Sequence, residues 1–151
     1  MRDEIEFVPA QVGDWADLLR LVRAYYRFDA IRFSAASVGA ALKRLLGDAS
    51  LGRAWIARDG ARPVGYAILT FNYDAEFGGL EGIVTDLFID ARYRGRGLGR
   101  RAMAMVDSYC RLARIRAIEL QVERDNRLAQ AFYRRLGFKK LSRIVMSRAI
   151  K

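Results

Sequence analysis

The stretch from Ile83 to Arg100 constrains this chain more than any other. An apolar run, Ile83 to Ile89, gives way to Asp90-Ala91-Arg92-Tyr93 and then to Arg94-Gly95-Arg96-Gly97-Leu98-Gly99-Arg100. From Leu98 the apolar positions Ala102, Met105, Val106, Tyr109 and Ala113 recur at helical spacing. A short apolar run bounded by turn residues reads as a strand, and the spacing after it reads as an amphipathic helix. A strand that enters a helix through a glycine-arginine turn suits an anion. Glycines let the backbone approach closely, and the first helical turn presents unpaired N–H groups at the positive end of its dipole. Arg94, Arg96 and Arg100 would reinforce that attraction. The alternative for any such turn is a plain strand-to-helix connection with solvated arginines.

The rest of the chain supplies partners for this unit. Glu4 to Val8 is a short candidate strand, and Asp14 is a candidate N-cap for a helix carrying Leu18, Val22 and Tyr25 or Tyr26. Ser34 or Ser37 caps a second helix through Leu42, Leu45 and Leu46. Arg53 to Arg58 and Pro63 to Phe71 flank Asp59-Gly60 as a hairpin, and the polar, Gly-rich segment Asn72 to Gly82 reads as a loop. Ile118, Leu120 and Val122 alternate as a strand. Leu128, Phe132 and Leu136 mark a last helix capped by Asp125 or Asn126 and stopped at Gly137, and Lys139 to Ile150 supplies a final strand or two. Alternating helices and strands without a repeat point to a mixed α/β (α+β) sheet protein, with a parallel pair in the second half. At 151 residues the expectation is one domain, 1–151.

Composition removes several chemistries. The chain has no histidine and one cysteine, Cys110, so Ser-His, Cys-His and zinc mechanisms are out, and no intramolecular disulfide can form. No run approaches a membrane span, and Met1 to Glu6 is too charged to open a secretory signal, so a cytoplasmic protein is expected. The net charge of +10 favours polyanions: nucleic acid, an acidic surface or a phosphorylated cofactor. The glycine turn fits neither known nucleotide pattern. Counted from Gly95 or from Gly97, a G-x-G-x-x-G turn would end on Arg100 or Ala102, and the P-loop's Gly-Lys-Ser/Thr ending is missing.

Two motifs carry a resemblance. Arg94-x-x-Gly97-x-Gly99 matches the R/Q-x-x-G-x-G/A pyrophosphate motif of the GCN5-related N-acetyltransferase (GNAT) superfamily, and Leu87-x-Ile89 resembles that family's coenzyme-contacting strand. Downstream, the run from Asn126 through Ala129, Phe132 and Tyr133 to Gly137-Phe138 is similar to its N-x-x-A-x-x-F-Y-x-x-x-G-F helix. The resemblance implies a central mixed sheet of six or seven strands flanked by about four helices. It also implies acetyl transfer from acetyl-CoA, as cosubstrate, to an amine by direct attack on the thioester, without a metal.

In that family the strands corresponding to Ile83–Ile89 and Ile118–Val122 splay apart around the coenzyme. By carry-over, the backbone of Leu87, Phe88 and Ile89 would pair with the pantetheine arm. The N–H groups of Gly95, Arg96, Gly97, Leu98, Gly99 and Arg100 would hold the pyrophosphate beside Arg94, and Asn126 would bond the arm from the other side. Tyr133 falls on the family's tyrosine position, where its phenol could protonate the leaving thiolate. Asp86 and Glu81 are the candidate bases, with Glu119 a weaker third, and the ordinary alternative for each is a solvated or ion-paired carboxylate. Asp29, Tyr73, Asp74, Glu76 and Phe77 fall where the family builds its acceptor pocket. A coenzyme A-binding sensor without turnover is the alternative function. A nucleic-acid module finds no supporting motif, membrane attachment is not expected, and a homodimer is compatible with the sequence.

Overall fold

The structure, a computed structural model, describes residues 4–151. Its packing separates into two compact units, one ending at Leu120 and one spanning Gln121–Lys151. The first contains a sheet whose strands neighbour one another in chain order: β1 (Glu6–Pro9), β2 (Gly52–Asp59), β3 (Arg62–Asp74), β4 (Gly79–Ile89) and β5 (Ile118–Leu120). All pairs are antiparallel except β4–β5. A parallel pair requires a crossover, and α3 (Leu98–Leu112) provides it.

The helices form where the patterning placed them. α1 (Trp15–Phe28) buries Leu18, Leu21 and Val22, which share one stripe at i, i+3 and i+4. Ser34 caps α2 (Ala35–Gly47) by accepting from the Ser37 N–H at 3.3 Å. Both helices cover one sheet face, where Leu18, Leu21, Val22 and Leu42 pack against Ala54, Ile56, Tyr66, Ile68 and Phe88. Each of the Leu, Val, Ile and Phe side chains contributes about 1.5–3 kcal/mol when fully removed from water. On the opposite face the Trp55 and Tyr109 rings meet edge-on at 5.4 Å, joining β2 to α3. Near the start of α3, Leu98 joins Ala57, Val64, Ile89 and Tyr93 in a second cluster.

Four sequence expectations change. Asn72 to Gly82 is mostly strand rather than loop, because the hairpin ladder continues through Asn72↔Glu81, Tyr73↔Leu80 and Asp74↔Gly79 and leaves only a 3-10 turn, Ala75–Phe77. Polar residues suggested a loop, yet backbone pairing with a facing strand holds them extended. Asp14 sits at the N-cap position of α1 but makes no side-chain capping bond. Its carboxylate accepts from the Gln11 N–H at 2.8 Å and pairs with Arg58 at 2.9 Å instead. The strand expected over Ile118 to Val122 stops at Leu120. Finally, the described residues form five strands rather than six or seven, because Lys139 to Ile150 forms none. Its apolar residues Leu141, Ile144, Val145, Met146 and Ile150 are exposed. A strand needs a ladder partner, which alternation in sequence does not supply. Among the described residues no helix is long and apolar enough to cross a membrane.

Close strand packing requires glycine at Gly65, where a Cβ would stand 2.6 Å from the Phe88 carbonyl oxygen and 2.8 Å from Ile89 Cδ1. Gly65→Ala is therefore expected to lower stability by about 1–3 kcal/mol, read as a lower thermal midpoint. An unchanged midpoint would mean that β3 and β4 are not held this tightly.

Candidate active site

β4 is irregular, and the irregularity builds the site. Ile89 to Asp86 pair with Gly65 to Ile68, but Leu69 then pairs with Val84, so Thr85 is an extra residue without an opposite number. Such a β-bulge resets the alternation of side chains. Glu81 and Asp86 are five apart and would face opposite ways in a regular strand. With Thr85 bulged out, Glu81 pairs opposite Asn72 and Asp86 opposite Ile68, so both carboxylates lie on the face that carries Tyr66.

The two acids meet different surroundings there. Asp86 accepts a 2.7 Å hydrogen bond from the Tyr66 hydroxyl. Burial pushes its carboxyl above the usual carboxylate range, with hydrogen bonds from Tyr66 and Thr85 opposing that rise. Burial, and then the Asp86 charge, drives the Tyr66 phenol strongly upward, so this tyrosine stays a neutral donor. Tyr26 is raised for the same two reasons. Glu81 is only 2% exposed; Asn72 Nδ2 donates to its Oε2 at 3.1 Å, and its Oε1 is buried without a partner. A buried polar atom left unpaired is costly.

Beyond the bulge, β4 has an open edge. Its parallel pairing with β5 covers only Gly82↔Ile118 to Val84↔Leu120. From Thr85 to Ile89 that edge has no strand partner among the described residues, so Leu87, Phe88 and Ile89 can offer backbone groups to an extended ligand. The strand then leads straight into the glycine turn. Asp90 caps a short 3-10 turn by accepting from the Arg92 N–H, and the Tyr93 hydroxyl ties it to Asp59 at 2.7 Å.

Gly95 and Gly97 both hold φ of 75°, a conformation that other residues adopt with strain. Gly97 is the N-cap of α3 and has no side chain to cap it. The first intrahelical bond here is Arg101 N–H to Gly97 C=O, which leaves the N–H groups of Leu98, Gly99 and Arg100 for a ligand. Among the expected cations, Arg94 is partly engaged: its Nε donates to the Ile89 carbonyl at 2.8 Å and its guanidinium lies 4.3 Å from the Phe28 ring centre. Arg96 donates to the Arg92 carbonyl at 3.1 Å.

The second unit carries the other motif on α4 (Arg127–Arg135). Asn126 caps it, its Oδ1 accepting from the Ala129 N–H at 3.1 Å, so the amide Nδ2 remains to donate elsewhere. The helix ends in a Schellman turn: Phe138 N–H donates to Tyr133 C=O, Gly137 N–H donates to Arg134 C=O, and Gly137 takes φ of 95°. The Tyr133 and Phe138 rings meet at 5.6 Å across this turn. Burial raises the Tyr133 phenol, keeping it protonated and able to donate.

Other expectations sort themselves. Tyr73 is largely exposed, Asp74 caps the 3-10 turn by accepting from the Glu76 N–H, and Asp29 closes α1. Glu119 lies opposite Ile83 on β5. Cys110 is buried on α3, and burial followed by the nearby Asp107 pushes its thiol up to about 11, as expected of an inert thiol. Sequence reasoning did not find Tyr66, Asn72 or the Thr85 bulge. No local pattern announces them, because each matters only through what lies opposite.

Residues 15–138 match the model of the acetyltransferase (GNAT) family, and the chain belongs to that family. It is 32% identical over 78 residues, 51% of its length, to an uncharacterised N-acetyltransferase of Methanocaldococcus jannaschii; the match spans 34% of that relative. An integron cassette protein from the mobile metagenome of Cole Harbour salt marsh is 32% identical, with a TM-score of 0.85 covering 96% of this chain and 90% of that one. A possible acetyltransferase from Clostridium difficile 630 shares the fold at 17% identity, with a TM-score of 0.86 over 97% and 98% of the two chains.

Because the carboxyl of Asp86 is raised in the fold, its contribution to stability is present below the ordinary carboxylate pKa and is lost as pH rises through the raised value. Asp86→Asn keeps an acceptor for Tyr66 but removes that loss. The variant is expected to melt higher than the parent at pH 7, by about 2 °C or more, with the difference vanishing below about pH 4. Thermal melts across this range decide it, and a gap that widens on acidification would reverse the sign.

Proposed function

We propose that the chain transfers an acetyl group from acetyl-CoA to an amine by direct attack of the amine on the thioester. One observation carries the reading: the open edge of β4 from Thr85 to Ile89 runs into a helix start capped only by glycine. An extended thiol arm followed by a pyrophosphate needs those two features in that order. The arm would pair with the backbone of Leu87, Phe88 and Ile89, and the phosphates would take the N–H groups from Gly95 to Arg100. Arg100 would add charge there, and Arg94 and Arg96 would do so through the guanidinium nitrogens not already donating within the turn. Asn126 would donate its amide to the arm. The family match runs across both units, which supports reading 15–138 as one acetyltransferase domain.

The amine must reach the thioester uncharged, and in a chain without histidine a carboxylate is the natural base. Asp86 is partly exposed whereas Glu81 is almost completely buried, so Asp86 is the better placed to take the proton, with Glu81 the second candidate. The amine's lone pair forms the new C–N bond, the thioester C–S bond breaks, the thiolate leaves, and the acylated nitrogen sheds its extra proton to water. Tyr133, kept protonated by its surroundings, returns a proton to that thiolate.

The test is incubation with acetyl-CoA and pooled amines, with coenzyme A and acetylated products followed by mass spectrometry. Tyr133→Phe is expected to lower kcat by about 100-fold or more while leaving coenzyme A affinity unchanged. Gly97→Ala, strained at φ of 75°, is expected to weaken coenzyme A binding by about tenfold through a displaced helix start. Tight coenzyme A binding without any product would return the chain to a sensor role. Absence of coenzyme A binding would sink both readings.

A further inference from the structure

Tyr66 is the largest of the fully buried side chains, yet it ends in a hydroxyl. Phenylalanine would fill nearly the same space without bringing a polar atom into the core, and a buried phenol needs a partner. That partner is Asp86, whose Oδ2 accepts from the Tyr66 hydroxyl at 2.7 Å. Strand register sets up the bond. Tyr66 lies opposite Phe88, and Asp86 stands two residues back along β4 opposite Ile68, so the two are diagonal neighbours on one face, a separation that aromatic side chains span.

The kind of donor matters. Asp14 and Asp17 are held by Arg58, and Asp90 by Arg92, but none of the ion pairs among the described residues includes Asp86. In a chain with 27 Lys and Arg, this carboxylate is held by hydroxyls instead, those of Tyr66 and Thr85. A guanidinium would keep the carboxylate ionised but make it a poor acceptor of a further proton. A neutral phenol fixes one oxygen and leaves the charge uncompensated. The other groups around Asp86 do not take over this role. From α1, Tyr26 feels the Asp86 charge and Tyr25 packs its ring on Tyr66 and Phe88. On β4, Glu81 shares the face and is bonded by Asn72. The Arg94 guanidinium lies 5.6 Å from the Phe88 ring centre and donates to the Ile89 carbonyl.

We propose that Tyr66 is a positioning residue for acetyl transfer, its hydroxyl holding the Asp86 carboxylate ready to take the proton of the incoming amine. This rests on the acetyl-transfer reading with Asp86 as base, and deepens it by naming the group that prepares the base. Tyr66 is completely buried and acts through Asp86 alone. Burial raises the Asp86 carboxyl and the Tyr66 hydrogen bond opposes that rise, so removing the hydroxyl leaves burial less opposed.

The experiment has a titration arm and a turnover arm, both on the full chain. Tyr66→Phe removes the hydroxyl and keeps the ring. The Asp86 carboxyl carbon is titrated by NMR without ligand, its signal identified by its loss in Asp86→Asn. Its midpoint is expected to rise by about one pH unit in Tyr66→Phe, the effect of one hydrogen bond to a charged group. An unmoved or lowered midpoint overturns the proposal. In the turnover arm, coenzyme A release from acetyl-CoA with the pooled amines below saturation is followed from about pH 8 to about pH 4. The ratio of variant to parent rate at each pH cancels the amines' own titration. It is expected to fall about tenfold toward the acid end, because Asp86 of the variant is protonated first. A ratio flat with pH reports a structural loss only and overturns the proposal. An equal fall in Tyr26→Phe, which removes a phenol that makes no hydrogen bond to Asp86, also overturns it. A raised midpoint with no amine acetylated supports the hold of Tyr66 on Asp86 and counts against acetyl transfer alone.

Discussion

Everything specific about this molecule depends on one extra residue in a strand. The Thr85 bulge lets β4 keep its pairing with β3 on both sides while changing which side chains face which way. Before it, β4 pairs with β5 as well; after it, the β5 side is open. The open edge begins at this bulge, and the bulge turns Asp86 onto the face that already carries Glu81 and Tyr66. A regular strand in its place would split the two acids between opposite faces of the sheet.

The glycine turn leaves the first N–H groups of α3 without a side-chain cap. A side-chain cap on α3 would satisfy the first N–H groups from within. Gly97 cannot do so, and its positive φ lets the chain turn sharply from the 3-10 segment into the helix. The arginines are less free than their number suggests, since Arg94 and Arg96 commit donors to the carbonyls of Ile89 and Arg92. The guanidiniums thus tie the turn together as well as charging it.

The lack of histidine shapes the protonation chemistry. Burial raises the phenols of Tyr66 and Tyr133 and keeps both protonated. The Asp86 carboxyl is raised by the same effect, and hydrogen bonds from Tyr66 and Thr85 moderate the rise. Desolvation rather than ion pairing governs this face, unlike the arginine-paired acids Asp14, Asp17 and Asp90 elsewhere on the molecule.

Much of this was legible in the sequence wherever the signal is local. The Gly137 stop, the glycine turn ahead of α3 and the caps at Ser34 or Ser37 and at Asp125 or Asn126 each depend on residues within about five positions, so residue type and spacing narrowed each to one or two candidates, and the structure selects Ser34 and Asn126. The two family motifs are of the same kind and carried the fold class with them. What the sequence left open is non-local. Asn72 to Asp74 became strand because Gly79 to Glu81 lie opposite, and Lys139 to Ile150 did not because alternation has no meaning without a partner. The shared face of Glu81 and Asp86 follows from a register shift that no count along the chain reveals. Tyr25 and Tyr26 on α1, Tyr66 on β3 and Phe88 on β4 meet only because the helix packs across the sheet. Residue types and local turns were determined by the sequence alone; which side chains meet was decided by strand register and packing, because those energies belong to pairs of segments distant in the chain.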